Sequence, residues 1–68
     1  MSTLTETRMR VLRLTDQPHG LHPTGTDEWT AIYWLEERGY VESDRRPRSR
    51  RRYKITEAGR SLLTEEMS

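Results

Sequence analysis

The chain has 68 residues, of which 31% are hydrophobic and 34% are charged, and it contains no Cys. A chain of this length has room for one domain, and such a domain hides only about 60% of the surface that its unfolded form exposes. The core must therefore be thin. Because no disulfide can form, we expect added stability to come from association with a second copy of the chain.

Several classes of protein fit this sequence poorly. No apolar run is long enough for a signal peptide or a membrane span, so we expect a cytoplasmic protein that does not enter a membrane. His19 and His22 lack the third and fourth ligands of a closed zinc site, so neither a metal nor another cofactor is expected. The chain has no Cys nucleophile, no recognisable Ser-His-acid set and no Gly-rich phosphate loop, so we do not expect an enzyme.

The charges are distributed unevenly, although the net charge is only +1. Seven basic side chains occur between residues 45 and 54 without a nearby acidic partner, namely Arg45, Arg46, Arg48, Arg50, Arg51, Arg52 and Lys54. The rest of the chain holds five basic and 11 acidic residues, a net charge of −6. A local basic patch on an acidic body indicates one oriented contact with phosphate groups.

In chain order, a first helix is predicted up to about Thr15, with Thr3 or Thr5 as its N-cap. Its uneven apolar stripe consists of Leu4, Val11 and Leu14, with Met9 and Leu12 beside them. The next ten residues, DQPHGLHPTG, contain two Pro and two Gly and argue against a long helix. We therefore expect either a turn around residues 21–24 or no helix at all in this segment.

A central helix is predicted from the N-cap Thr26 to Arg38, ending at Gly39 in the left-handed conformation. The helical period places Ile32 and Leu35 on the inward side. The opposite side holds Asp27, Thr30, Tyr33, Trp34 and Glu37.

Two strand-like pieces, at 40–43 and 51–56, flank the Arg-rich loop and predict a hairpin. The period of two places Val41, Tyr53 and Ile55 on the inward face of this hairpin and Arg52 and Lys54 on the outward face. After the hairpin, a final helix with Thr56 as its N-cap is predicted. The predicted core contains Leu12, Ile32, Leu35, Val41, Tyr53, Ile55 and Leu62.

The segments LEERGYVES (35–43) and RRRYKITEAG (50–59) resemble the end of the recognition helix and the second wing strand of winged-helix regulators, above all of the PadR-like and MarR-like families. The resemblance covers a little over half of the chain. It implies one α+β domain over residues 1–68, a small winged helix-turn-helix with about three helices and a two-stranded β-hairpin wing at about 40–56. The helix before the central helix is shortened relative to these families.

The resemblance implies a DNA-binding transcriptional regulator, and the charge pattern predicts that its wing supplies most phosphate and groove contacts with double-stranded DNA. The seven basic residues are the predicted wing contacts, and the resemblance adds Thr30 and Tyr33 on the outer side of the central helix. A homodimer is predicted, with Trp34, Leu4 and Leu63 at its interface. Two alternatives remain open: a protein-interaction module that uses Tyr33 and Trp34, and an RNA-binding protein that uses the Arg-rich loop.

Overall fold

The computed structural model describes residues 5–67, which form three helices and a two-stranded antiparallel sheet. The order of elements is α1 (Glu6–Thr15), α2 (Gly25–Glu37), β1 (Val41–Ser43), β2 (Tyr53–Ile55) and α3 (Glu57–Met67), with a short 3-10 turn (Arg48–Arg50) at the tip of the hairpin. This architecture confirms the predicted α+β class, and its arrangement is winged-helix-like.

Helix α1 begins after Thr5, whose hydroxyl accepts a hydrogen bond from the backbone N–H of Arg8 at 3.2 Å. Thr5 is therefore the N-cap, and Thr3 and Leu4 lie outside the described residues. The buried positions of α1 are Val11, Leu12 and Thr15. The Thr15 hydroxyl donates to the carbonyl oxygen of Leu12 at 2.6 Å, which satisfies a polar group inside the core.

Residues 16–24 form a turn followed by an extended segment, so no helix separates α1 from α2. Leu21 and Tyr53 form an antiparallel bridge through two N–H···O bonds of 2.8 Å each. Gly20 has a φ of +69°, and a Cβ at this position would lie 2.6 Å from the Tyr53 carbonyl oxygen, so only Gly fits. Of the two alternatives for this segment, the structure confirms the one without a helix, because residue 21 pairs with β2 instead of forming a turn.

Helix α2 starts earlier than predicted, at Gly25, so Thr26 lies inside the helix and is not its N-cap. Thr24 is the N-cap, and the carboxylate of Glu28 accepts a hydrogen bond from its backbone N–H at 3.3 Å. The end of α2 is as predicted: Gly39 has a φ of +81°, and its N–H donates to the Glu36 carbonyl oxygen at 3.0 Å.

The hairpin has the predicted facing, although each strand has only three residues. Val41 pairs with Ile55, Glu42 with Lys54, and Ser43 with Tyr53. Val41 and Tyr53 are buried and Ile55 is half-buried, whereas Glu42 and Lys54 are exposed on the other face. The period of two therefore predicted correctly which side of the wing meets the helices.

The hydrophobic core joins the helices to the inward face of the hairpin, and its buried members are Val11, Leu12, Ala31, Ile32, Leu35, Val41, Tyr53 and Leu63. Five of the seven predicted core residues are buried, and the other two, Ile55 and Leu62, are half-buried and pack against the core. Leu63 was predicted at a dimer interface, but only 9% of it is exposed. Since adjacent helix residues differ by about 100° in direction, α3 turns Leu63 inward and Leu62 partly outward.

Thr56 joins the end of α2 to the start of α3. Its hydroxyl accepts from the Gly59 N–H at 3.1 Å, as predicted for an N-cap, and donates to the Gly39 carbonyl oxygen at 2.6 Å. A Cβ at Gly59 would collide with the Tyr40 carbonyl oxygen and lie 2.8 Å from Cγ1 of Ile55. The missing side chain at Gly59 therefore lets α3 pack closely against the base of the wing.

Candidate nucleic-acid interface

The hairpin places all seven predicted basic residues on one element that leaves the helical body. Arg51 is half-buried, and the others are exposed, namely Arg45, Arg46, Arg48, Arg50, Arg52 and Lys54. Because like charges at this density repel one another, a bound polyanion would relieve an unfavourable electrostatic energy in the free protein.

Asp44 organises the turn that starts the wing tip. Its Oδ1 accepts hydrogen bonds from the backbone N–H of Arg46 at 3.2 Å and of Arg52 at 3.3 Å. Its Oδ2 lies 3.5 Å from Nε of Arg46. The expectation that no acidic partner lies near the basic residues is therefore wrong for Arg46. Since the Arg46 side chain is 63% exposed, the ion pair itself contributes only about 0–1 kcal/mol to stability.

Arg51 supports the shape of the wing. Its Nε donates to the carbonyl oxygen of Arg46 at 3.2 Å, and its own carbonyl oxygen lies 2.7 Å from Nδ1 of His22. A carbonyl oxygen only accepts, so Nδ1 of His22 carries the proton. These contacts connect the wing tip to the extended segment before α2. Part of the Arg51 side chain is thus already engaged within the protein.

Arg48 connects the wing tip to α2. Its guanidinium carbon lies 4.9 Å from the ring centroid of Trp29 and 5.8 Å from that of Tyr33. The two rings are one helical turn apart, with centroids separated by 5.6 Å and planes inclined by 34°. A cation over aromatic faces is worth about 0.5–1 kcal/mol at an exposed site. The wing tip and the outer side of α2 therefore form one continuous surface.

An open cleft of about 410 Å³ lies at this junction, and we call it the wing-helix cleft; its lining residues are Gly25, Thr26, Trp29, Thr30, Tyr33 and Arg48. The structure thus brings the predicted contacts Thr30 and Tyr33 together with Arg48. Both helix residues are exposed, Tyr33 to 43%. Sequence reasoning missed Trp29 and Thr26, although the spacing of four between Trp29 and Tyr33 indicates a shared side of the helix.

Trp34 has surroundings that differ from those of Tyr33. It is half-buried and packs against the edge of the core, with the guanidinium carbons of Arg8 and Arg38 at 4.0 and 4.3 Å from its ring centroid. Trp34 therefore lies outside the buried core, as predicted, although it packs against the edge of that core. Tyr33 and Trp34 also do not share one surface, since only Tyr33 faces the wing tip.

Two further properties concern the whole of the described chain. None of its helices combines the length and the apolar character that are needed to cross a membrane. Among the described residues, no three His, Asp or Glu side chains are grouped so that they could hold a metal ion.

Comparison with known proteins assigns the chain to a family through its sequence. No curated protein and no solved structure matches the chain. The profile of the family described as "Protein of unknown function (DUF3116)" matches residues 3–68, almost the entire chain, so this protein belongs to that family.

Proposed function

We propose that the protein is a cytoplasmic transcriptional regulator, related in type to PadR-like and MarR-like proteins, that binds double-stranded DNA through its basic wing. The observation that carries the proposal is the display of six exposed basic side chains on one hairpin beside an exposed helix face. Each phosphate that such a side chain neutralises releases condensed counterions, and this release drives binding.

The side chains of the wing divide into those that are engaged and those that are free to meet phosphate. Arg46, Arg48 and Arg51 already make an ion pair, a cation–aromatic contact and a hydrogen bond, respectively. The other four are exposed and make no side-chain hydrogen bond or ion pair with any described residue: Arg45, Arg50, Arg52 and Lys54. These four are the proposed principal phosphate ligands.

Helix α2 has a smaller part in this proposal than a recognition helix usually has. Its outer side presents Thr30 and Tyr33 together with the acidic residues Asp27 and Glu37, but no Arg, Lys, Asn or Gln. Those four residue types make the common bidentate contacts with guanine and adenine. We therefore assign the affinity to the wing, and any sequence preference to groove width and DNA shape.

The proposal includes a homodimer, which suits an operator with two half-sites. Of the three side chains predicted at its interface, Leu63 is buried in the core and Leu4 lies outside the described residues. Trp34 remains as the interface candidate, and Arg8 and Arg38 would have to move from its ring for a second copy to contact it. Sedimentation of a Trp34→Ala variant should then shift toward monomer, while wild-type sedimentation as a monomer would contradict this part.

The test of DNA binding is a salt series with the wild-type chain and a random duplex, followed by fluorescence anisotropy. Four phosphate contacts predict a slope of log K against log salt of about −3.6, at about 0.9 per contact. Binding that is absent at low salt, or that does not weaken as salt rises, would contradict the proposal. The same series with an RNA duplex of equal length separates it from the RNA-binding alternative, which requires tighter binding of RNA.

A further inference from the structure

We infer that the wing-helix cleft binds one unpaired nucleobase of a single-stranded DNA segment. This inference deepens the proposed function and rests on it, because the phosphates on either side of the base would be held by the basic wing. The inference gives the wing-helix cleft an occupant of its own, in addition to the contact between the basic wing and duplex DNA.

The cleft offers an aromatic wall on which a base can stack. Tyr33 is 43% exposed, the largest exposure of a large hydrophobic side chain among the described residues. Its ring centroid lies 5.6 Å from that of Trp29, which is half-buried and also makes edge contacts with His22 and Tyr53 at 5.9 and 6.1 Å between centroids. A fixed ring with an exposed face stacks on any base, because every base has a π-face.

The polar groups of the cleft suit a base that is joined to phosphate. Arg48 forms no ion pair with a described residue, but its guanidinium carbon lies 5.8 Å from the Tyr33 ring centroid and would have to move aside for a base to stack there. The hydroxyl-bearing residues Thr26 and Thr30 are exposed one turn apart on α2. A guanidinium donates only, whereas a hydroxyl both donates and accepts. Together they can form hydrogen bonds with both the donor and the acceptor groups along the edge of a base. None of the residues that line the cleft is acidic. The positive charge of Arg48 without an acidic neighbour therefore favours a nucleotide over a basic peptide segment.

The size and position of the cleft agree with this occupant. Its volume of about 410 Å³ falls within the range of about 300–1,000 Å³ that is usual for small-molecule sites. Arg50 lies in the same short turn as Arg48 and is exposed, so a positive charge is available for the adjoining phosphate. A base within a duplex is stacked and paired and would have to leave the helix first, which costs free energy. The cleft therefore prefers single strands.

The test compares a single-stranded oligonucleotide of about eight nucleotides, within the usual site size, with an abasic strand of equal length. Both carry the same number of phosphates, so their salt slopes should agree. The wild-type chain should bind the base-bearing strand about five- to a hundredfold more tightly. Tyr33→Ala should remove this preference, whereas Tyr33→Phe and the control Ser61→Ala, an exposed position on α3, should keep it.

A second readout locates the base directly. Of the two Trp residues only Trp29 lines the cleft, so the Trp fluorescence of the wild-type chain should change with the base-bearing strand but not with the abasic strand, and Trp29→Phe should lose this change. Equal binding of both strands by the wild-type chain would overturn the inference and leave the wing proposal intact. A preference that survives Tyr33→Ala would also overturn it. If the chain binds neither strand nor the duplex at low salt, both the inference and the proposed function fail.

Discussion

The helical body and the wing are held in shape by different kinds of contact. In the body, Leu12, Ile32 and Leu35 are fully buried, and the shape depends on this apolar core. In the wing tip, residues 44–50, no residue is buried, and the shape depends on the Asp44 carboxylate, the Arg51 side chain and the contact of Arg48 with α2. Stability and the proposed binding therefore depend on different residues, and substitutions should separate them.

The largest expected effect is in the core of the body. Leu35→Ala removes a fully buried side chain and should cost about 2–5 kcal/mol. A domain of this size has only about 3–5 kcal/mol from its core, so the variant should be largely unfolded. Urea denaturation followed by circular dichroism checks this. An unchanged midpoint would show that the core does not depend on α2 as described.

Gly59→Ala tests the junction between body and wing. The added Cβ collides with the Tyr40 carbonyl oxygen, so we expect a loss of about 1–3 kcal/mol despite the helix propensity gain of about 1 kcal/mol. Ser61→Ala is the matched control, because it adds helix propensity at an exposed position of the same helix. The same denaturation experiment applies. A more stable Gly59→Ala variant would contradict the close approach of α3 to the wing.

Asp44→Ala tests what holds the wing tip. The variant loses the acceptor for the N–H groups of Arg46 and Arg52, so the global stability should fall by only about 1 kcal/mol. Hydrogen exchange at those two amides should become faster, while exchange within α1 stays the same. Asp27→Ala removes the same charge from α2 and should not alter the two amides. Unchanged exchange in Asp44→Ala would show that another contact fixes the wing.

The smallest effect is expected for Tyr53→Phe. The Tyr53 hydroxyl is buried and makes no hydrogen bond with a described residue, so its removal should leave stability unchanged or raise it by about 1 kcal/mol. Thermal unfolding measures the change. A clear loss of stability would mean that the hydroxyl has a partner in solution.

The sequence predicted the body well because local chemistry determines it. Gly39 and Thr56 specify where α2 ends and α3 begins, and the period of two identified the inward face of the hairpin. Polar caps and periodicity are short-range signals that a single sequence carries, although the N-cap of α2 is Thr24 and not the predicted Thr26.

The contacts that the wing makes with the rest of the chain could not be predicted in this way, because they join residues that are distant in the sequence. The bridge between Leu21 and Tyr53 depends on the Pro- and Gly-rich segment folding back on the hairpin. The position of Arg48 on Trp29 and Tyr33 depends on the path of the wing tip. Spacing indicated that Trp29 and Tyr33 share a side of α2, but not what covers that side.

The central claim, that the wing supplies the affinity for DNA, is tested most directly by two charge-matched variants. One replaces Arg45, Arg50 and Arg52 by Ala in the wing, and the other replaces Arg10, Arg13 and Arg60, which lie on α1 and α3. Both lose three positive charges. The salt slope of duplex binding should flatten by about 2–3 units in the wing variant, at about 0.9 per lost contact, and by much less in the helix variant. Equal flattening in both variants would contradict the claim, because net charge rather than the wing would then determine binding.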